Sequence, residues 1–453
     1  MTAPDYSAAG KSPLRAGSAV ATARIFSLVA AAIQLPLLTR IMDVDEYALV
    51  GISIAAATYF SLASAESFIL PFQRHPGHSQ DRRNFKFAFV RVVAGSVAVG
   101  AIVVGVAFLI GFGSLGLAIT GWGIGIAITR LASTAWLGWH EPWKYALNLM
   151  VSTGVRTVLL VTLALSGWEA AHALAVAGIG SAVAALVLSP RLASSQSPLE
   201  PPWTVRFGVL LALASLFITI LLNANLLILP AFANSASVGR YAAMAQIGSF
   251  ACGAVLGLVT TVLYPRLRSA WDSGNHLLVR SQSERTQQLA IAVGLGTLVL
   301  LRLGDGWLVG IIVGAAYVDL AVLPGLVLAP AFAAMGTVAS WEHQFMLAGR
   351  RIAQRTAISA LSGLASTVIL ATLYGTVGAS VGAALGFFLY FALMSLGNTR
   401  SVITDGASLA SLSLVTLFAM SEHDVSMPIH WLIFAAATGC ALLSTYIIRG
   451  LRW

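Results

Sequence analysis

Charge is what this sequence has least of. Only 9% of its 453 residues are Asp, Glu, Lys or Arg, against about 25% in a soluble globular domain. With 58% hydrophobic residues and a mean hydropathy of +0.86, a water-soluble fold is excluded and a polytopic membrane protein is implied. Cysteine is nearly absent too. Cys252 and Cys440 lie in apolar runs and read as small packing residues. They offer neither a disulfide framework nor metal-ligand spacing, so no metal or other cofactor is expected. Long polar stretches are missing, which leaves no room for a soluble domain. The tail 1–15, MTAPDYSAAGKSPLR, lacks the short apolar core and small-residue cleavage site of a signal peptide. The net charge of +9 does not point to nucleic acid, because Lys and Arg fall in the gaps between apolar runs and no basic patch has interleaved aromatics.

What is present is a series of apolar runs, each long enough to cross a bilayer. Fourteen spans are expected, at 16–41, 46–71, 87–112, 115–137, 145–166, 169–189, 206–231, 237–264, 286–303, 320–345, 355–374, 377–397, 406–421 and 428–448. The Gly-rich stretch GWLVGIIVGAAY, 306–317, either extends the ninth span or forms an irregular outer segment. With both termini on the cytoplasmic side, nineteen of the 26 Lys and Arg fall in inner segments, Arg40, Arg240 and Arg302 in outer ones, and Arg24, Arg91, Arg130 and Arg156 within spans. That bias sets the orientation by the positive-inside rule. The longest inner connections are 72–86, 190–205 and 265–285, and the Pro- and Ser-rich 190–205 reads as a linker dividing the chain in half.

The opening hairpin occurs twice. A shift of 194 residues brings Pro36 onto Pro230, Tyr47 onto Tyr241 and Pro71 onto Pro265; further on, a shift of 211 brings Gly138 onto Gly349 and Lys144 onto Arg355. The expected organisation is therefore a first six-helix bundle at 16–189, the linker 190–205, a second six-helix bundle at 206–397, and two further helices with a cytoplasmic end at 398–453. Both copies start on the same side, as in parallel repeats related by an axis along the membrane normal. Two such bundles are expected to enclose a cleft and to open it to either side by rocking, an argument from architecture that names no substrate.

Ionisable groups at bilayer depth are rare and mark a cavity or a partner. Arg24 and Glu66 lie at similar depth on the first two spans. They read either as a structural ion pair or as a cavity-facing arginine that Glu66 positions or couples. Arg156 sits near the middle of the fifth span, too deep to snorkel, and Arg130 well inside the fourth; Arg91 reads as an interfacial anchor. The second half offers instead Asn223, Asn225 and Gln246, with Glu342 and His343 near the inner end of the tenth span. Each amide reads equally as an interhelical hydrogen bond. Together they predict a cleft with one cationic wall and one neutral polar wall. Guanidinium stays charged and grips phosphate in a two-pronged fashion, so such a cleft calls for an anionic partner such as a pyrophosphate headgroup. The runs GWGIGIA (121–127) and GASVGAALG (378–386) read as close helix packing through small residues or as points of flexure.

The stretch AVATARIFSLVAAAIQLPLLTRIMDVDEYALVGI resembles the opening hairpin of bacterial polysaccharide-repeat flippases, the Wzx-like family of the multidrug/oligosaccharidyl-lipid/polysaccharide (MOP) exporter superfamily. Arg24, Leu35, Pro36, Thr39, Arg40, Asp43, Glu46 and Tyr47 match the pattern, and Ala48 stands where that family usually has Gly. The segment GIIVGAAYVDLAVLPGLVLAPAFAAMG with QFMLAGR is similar to the family's tenth-span region. The resemblance implies a non-enzymatic transporter in the bacterial plasma membrane. Its substrate would be a polyprenyl-pyrophosphate-linked oligosaccharide moved from the inner to the outer leaflet, with a polysaccharide polymerase and glycosyltransferases as partners. Of the candidate residues, Arg24 alone is carried by the resemblance; Arg130 and Arg156 rest on depth. A cation-coupled drug or metabolite antiporter of the same superfamily ranks second, since it would more often show carboxylates deep in a bundle. A lipid-linked peptidoglycan precursor flippase shares the architecture. A membrane glycosyltransferase or polymerase is disfavoured by the short outer loops.

Overall fold

The structure, a computed structural model, describes residues 13–66, 82–138, 141–189, 203–250, 254–302, 306–346 and 348–396. These residues form helices and no strand. In order they are α1 (Pro13–Ile41), α2 (Val44–Ser61, continued by a π-turn at Leu62–Glu66), α3 (Arg82–Leu109), α4 (Gly113–Gly138), α5 (Pro142–Leu165) and α6 (Ala170–Val187). There follow α7 (Trp203–Ile228), α8 (Ser235–Gly248), α9 (Ala254–Asp272), α10 (His276–Arg302), α11 (Trp307–Val313), α12 (Leu323–Phe345) and α13 (Gly349–Ser395). Nine of the described helices are long and apolar enough to cross a membrane. Large apolar side chains such as Val97, Ile102, Val106 and Phe108 on α3 point outward, as a lipid-facing surface requires. The chain is an all-α polytopic membrane protein.

The first twelve expected spans each fall on described helix, and the spans at 406–421 and 428–448 lie outside the described residues, as does most of the 190–205 linker. Two connections take a definite form. The eighth span falls on α8 and α9, and residues 251–253 between them lie outside the described residues. The inner connection 265–285 is mostly helical: α9 runs on to Asp272, Gly274 makes the turn at φ +79°, and α10 starts at His276. Asn275 accepts a bond from the Leu278 amide at 3.2 Å and so caps α10. The stretch 306–317 does not extend the ninth span. It is the short α11 followed by a 3₁₀ turn, bracketed by Gly306 and Gly314 at φ +78° and +80°, a conformation that excludes a continuous helix. The eleventh and twelfth spans, expected at 355–374 and 377–397, are the two arms of α13 and part where expected. The helical backbone breaks at Tyr374 and at Gly375, where φ is +56°, and the two arms fold back on each other. Gly363 meets Gly386, and Thr367 meets Gly382, in antiparallel register.

Contacts divide the chain into two compact units, one built from the described residues up to Ala31 with Phe60–Gly208, the other from Ala32–Tyr59 with those from Val209 onward. In the first unit the core is small and alanine-rich: Ala127, Leu131, Ala132 and Ala135 of α4 with Ala182 and Ala185 of α6, closed by Ala65 and Val92. A Cβ at Gly121 would stand 2.6 Å from the Ala175 carbonyl oxygen, and one at Gly125 2.5 Å from that of Gly178. The GWGIGIA run therefore serves close packing of α4 on α6, the small-residue mode of helix association in lipid.

In the second unit the central helix is α12, with 78% of its apolar window buried. It packs on α10 and both arms of α13. The last third of α1 (from Ala32) and most of α2 join this unit rather than the helices that follow them. Gly51 packs against Ala242 so closely that a Cβ on Gly51 would stand 2.6 Å from the Ala242 Cβ. The α1–α2 turn is held by the 306–322 segment. Arg40 Nη2 donates to the Ile311 carbonyl at 2.9 Å, Tyr317 Oη donates to the Met42 carbonyl at 2.8 Å, and the Tyr317 ring meets buried Tyr47 edge-on at 5.5 Å. Burial, then the carboxylates of Asp43 and Glu46, push the Tyr317 phenol above its ordinary value, so it remains a neutral donor.

Candidate functional site: a polar seam in the first unit and a paired cluster in the second

In the first unit, α4 and α5 run antiparallel and share a line of polar residues. Asn148, Ser152 and Arg156 recur every four residues on α5, which places them on one face. At one end Ser133 Oγ donates to Asn148 Oδ1 at 3.0 Å, and Asn148 Nδ2 donates to the Ala185 carbonyl at 2.9 Å. Trp136 Nε1 donates to the Leu188 carbonyl at 3.0 Å. The last carbonyls of α6, which have no intrahelical partner, are thus capped by side chains of α4 and α5. Ser152 Oγ turns back to the Asn148 carbonyl.

Eight residues further along α5, about 12 Å by helical rise, lies Arg156. Its guanidinium carbon stands 4.9 Å from the centroid of the Trp122 ring, which is buried. Its Nε is buried and has no acceptor among the described residues; Thr129 Oγ1, level with Ser152 by the same register, is likewise unpartnered. A buried donor left unpaired costs about 1–3 kcal/mol, more for a charged group. The seam therefore ends in a cation packed over an indole, with an Nε N–H that has no acceptor among the described residues.

Arg130 is half-buried on α4 and has an interaction partner. Arg24 is exposed. The neighbouring face of α1, carrying Ala19 and Ala23, packs against Tyr145 and Ala146 of α5. Glu66 closes the π-turn after α2; its side chain lies outside the described residues, so the pairing expected with Arg24 does too.

The polar residues of the second unit are more committed than a free wall would be. Asn225 is buried, its Nδ2 donating to Tyr241 Oη and its Oδ1 accepting from the Leu226 amide at 3.0 Å. It acts as an α7–α8 tie, with Tyr241 being the residue that the internal repeat matches to Tyr47. Asn223 Nδ2 reaches the Thr219 carbonyl at 3.4 Å, and Gln246 is half-buried on α8. Glu342 and His343 are buried near the end of α12. Glu342 Oε1 stands 3.7 Å from Arg280 Nε, an ion pair too long for a hydrogen bond. His343 Nε2 lies 2.6 Å from Arg355 Nη1 and 3.1 Å from the Met394 carbonyl, while its Nδ1 has no partner among the described residues. One ring nitrogen thus faces both a donor and an acceptor and can serve only one of them. Tyr264, Trp341, Trp271 and Phe345 enclose this end as an aromatic cluster. Arg280 and Arg355, which charge placement assigns to inner segments, therefore reach back onto α12.

Sequence reasoning singled out the arginines, Glu342 and His343 but missed Trp122 and Asn148 as company of Arg156, and Arg280 and Arg355 as company of Glu342 and His343. The i, i+4, i+8 spacing of Asn148, Ser152 and Arg156 was the available signal. Trp122 had none, since an indole beside glycine reads as packing.

No protein-family model and no curated protein sequence matches the chain. Its fold is shared with solved membrane transporters. An inward-facing multidrug resistance MATE family transporter of the MOP superfamily aligns at TM-score 0.61 and 13% identity, over 86% of this chain and 95% of that one. An outward-facing multidrug resistance MATE family transporter aligns at 0.57 and 14%, over 90% and 97%. A MOP superfamily transporter from Pyrococcus furiosus, described as having a binding pocket of reversed polarity that suggests a different function, aligns at 0.53 and 12%, over 89% and 97%.

Proposed function

We propose that this protein is a membrane transporter of an anionic substrate, and that the substrate is a polyprenyl-pyrophosphate-linked oligosaccharide carried from the inner to the outer leaflet by alternating access. The observation that carries this reading is the sign of the charge in the first unit. The described spans from α3 to α6 hold Arg91, Arg130 and Arg156 well inside them and no carboxylate; Lys144, at the start of α5, pairs with Glu141 at 4.0 Å. Arg24 adds a further cation on α1. Of these, Arg156 presents a buried, acceptorless N–H. Charge in the bilayer is costly and is kept where it meets a partner, and a fork of guanidinium N–H groups suits phosphate oxygens. The resemblance of the opening hairpin to polysaccharide-repeat flippases supports the lipid-linked substrate. A second reading, a cation-coupled drug or metabolite antiporter, is favoured by the fold shared with multidrug resistance MATE transporters.

The test is reconstitution into vesicles with a fluorescent polyprenyl-pyrophosphate glycan, reading the signal protected from dithionite. Charge-assisted hydrogen bonds contribute about 1.5–3 kcal/mol each, so Arg24→Ala and Arg156→Ala are each expected to slow flipping about ten- to hundredfold. Wild-type rates in both variants, or ion-coupled drug uptake with no lipid movement, would overturn the reading.

A further inference from the structure

The Arg156 side chain is defined by two neighbours, one present and one missing. Trp122 stands under the guanidinium at 4.9 Å, within the range at which an aromatic face attracts a cation. The missing neighbour is an acceptor for Nε, which is buried and unpaired among the described residues. Trp122 itself has little freedom to move. It lies between Gly121 and Gly123, and the Gly121 backbone is held against Ala175 of α6 so closely that a Cβ there would stand 2.6 Å from a carbonyl oxygen. At the other end of the seam, Asn148 ties α5 to Ser133 of α4 and to Ala185 of α6. The guanidinium thus packs on an indole whose backbone is tightly held, on a helix pair tied one seam-length away.

We infer that Trp122 is the positioning and specificity-determining residue of a diphosphate site at Arg156. It packs against the guanidinium, and the Nε N–H, which has no acceptor among the described residues, is the donor left for a single tetrahedral oxyanion. This rests on the proposed function for the presence of an anionic substrate and goes beyond it in assigning Trp122. A flat guanidinium edge bonds two oxygens of one phosphoryl group side by side. An ammonium on the same helix would keep the charge but lose the fork. Loss of the indole would keep the charge and the fork but remove the ring on which the guanidinium packs.

The experiment uses the full-length protein in nanodiscs, labelled with 5-fluorotryptophan, the Trp122 resonance being assigned by its loss in Trp122→Phe. Inorganic pyrophosphate is titrated while fluorine resonances are followed, and its affinity is measured in parallel by equilibrium dialysis. The expected result is a saturable shift of the Trp122 resonance in wild type. Affinity should fall about tenfold in Trp122→Leu and in Arg156→Lys, and stay within about threefold of wild type in Trp122→Phe, which keeps an aromatic face. A short-chain polyprenyl pyrophosphate run alongside separates a lipid headgroup from free diphosphate: tighter binding of the lipid form marks the headgroup as the source. Wild-type affinity in Trp122→Leu, or a Trp122 resonance that pyrophosphate does not move, would overturn the inference. Arg156- and Trp122-dependent pyrophosphate binding without glycolipid flipping would leave this site standing and overturn the flippase reading.

Discussion

Asn148 offers a test of how the first unit is held together. Replacing it by Leu keeps the volume roughly constant and removes two hydrogen bonds, one accepted from Ser133 at 3.0 Å and one donated to Ala185 at 2.9 Å. Side-chain hydrogen bonds between membrane helices average about 0.6 kcal/mol and reach about 1.7 kcal/mol. The Ala185 carbonyl is the more exposed to loss. It lies in the last turn of α6, and the Ser189 amide that would have served it bonds to Leu186 instead. Stranding that carbonyl costs about 1–3 kcal/mol, so Asn148→Leu is expected to destabilise by about 2–3 kcal/mol in all. Ser133→Ala alone removes only the first bond and should cost about 1 kcal/mol. In the Asn148→Leu background it should cost almost nothing, because its partner has already gone. Reversible unfolding by steric trapping in bicelles gives the four corners of this cycle. Destabilisation by Asn148→Leu of under about 0.5 kcal/mol, or additivity of the two changes within about 0.5 kcal/mol, would refute the account of α6 as a helix capped by its neighbours.

Two further outcomes are expected. Gly386→Ala puts a Cβ 2.8 Å from the Gly363 Cα and should cost about 1–3 kcal/mol by overpacking. Gly105→Ala on α3, with nothing within 4 Å, should be neutral or stabilising; thermal unfolding in detergent separates the two, and equal effects would contradict the packing role of the α13 glycines. Tyr317→Phe removes the bond to the Met42 carbonyl and should cost about 1 kcal/mol at neutral pH. Its phenol is pushed up in the folded state, so the folded protein holds that proton more tightly than the unfolded chain. That contribution is whole below the ordinary tyrosine value and is lost as pH rises toward the folded one. The variant should therefore show a flatter alkaline limb in a stability–pH profile, and an unchanged limb would remove Tyr317 from that role.

Helices were legible because lipid imposes a simple rule. Every backbone group must be paired within the segment, so an apolar run of sufficient length has few alternatives to helix, and twelve expected spans fall on described helix. Boundaries were less legible where polarity and helix end do not coincide. The connection 265–285 is charged yet helical, because α9 and α10 continue past their apolar stretches. The break between the eleventh and twelfth spans, by contrast, falls where expected, at Tyr374 and Gly375, where glycine takes the positive φ that the turn requires. Among the candidate residues, Arg156 was legible from depth alone. The pairing of Glu342 with Arg280 and of His343 with Arg355 was not, because it joins residues far apart in the chain, α10 to α12 and α12 to α13.

By itself, then, the sequence determined the class of protein, the helical state of its apolar runs and the sign of most of the charge in the spans of the first unit, all of which follow from transfer of side chains and backbone into hydrocarbon. Tertiary structure decided which of those charges keeps an open valence. Arg24, Arg130 and Arg156 are alike as residues in apolar runs. Only the packing of α4 against α5 sets Arg156 over Trp122 with its Nε unpaired, while Arg24 is left exposed and Arg130 is given a partner. Hydrophobicity is a property of each residue in turn, whereas hydrogen-bond satisfaction is a property of neighbours, and neighbours exist only once the chain has folded.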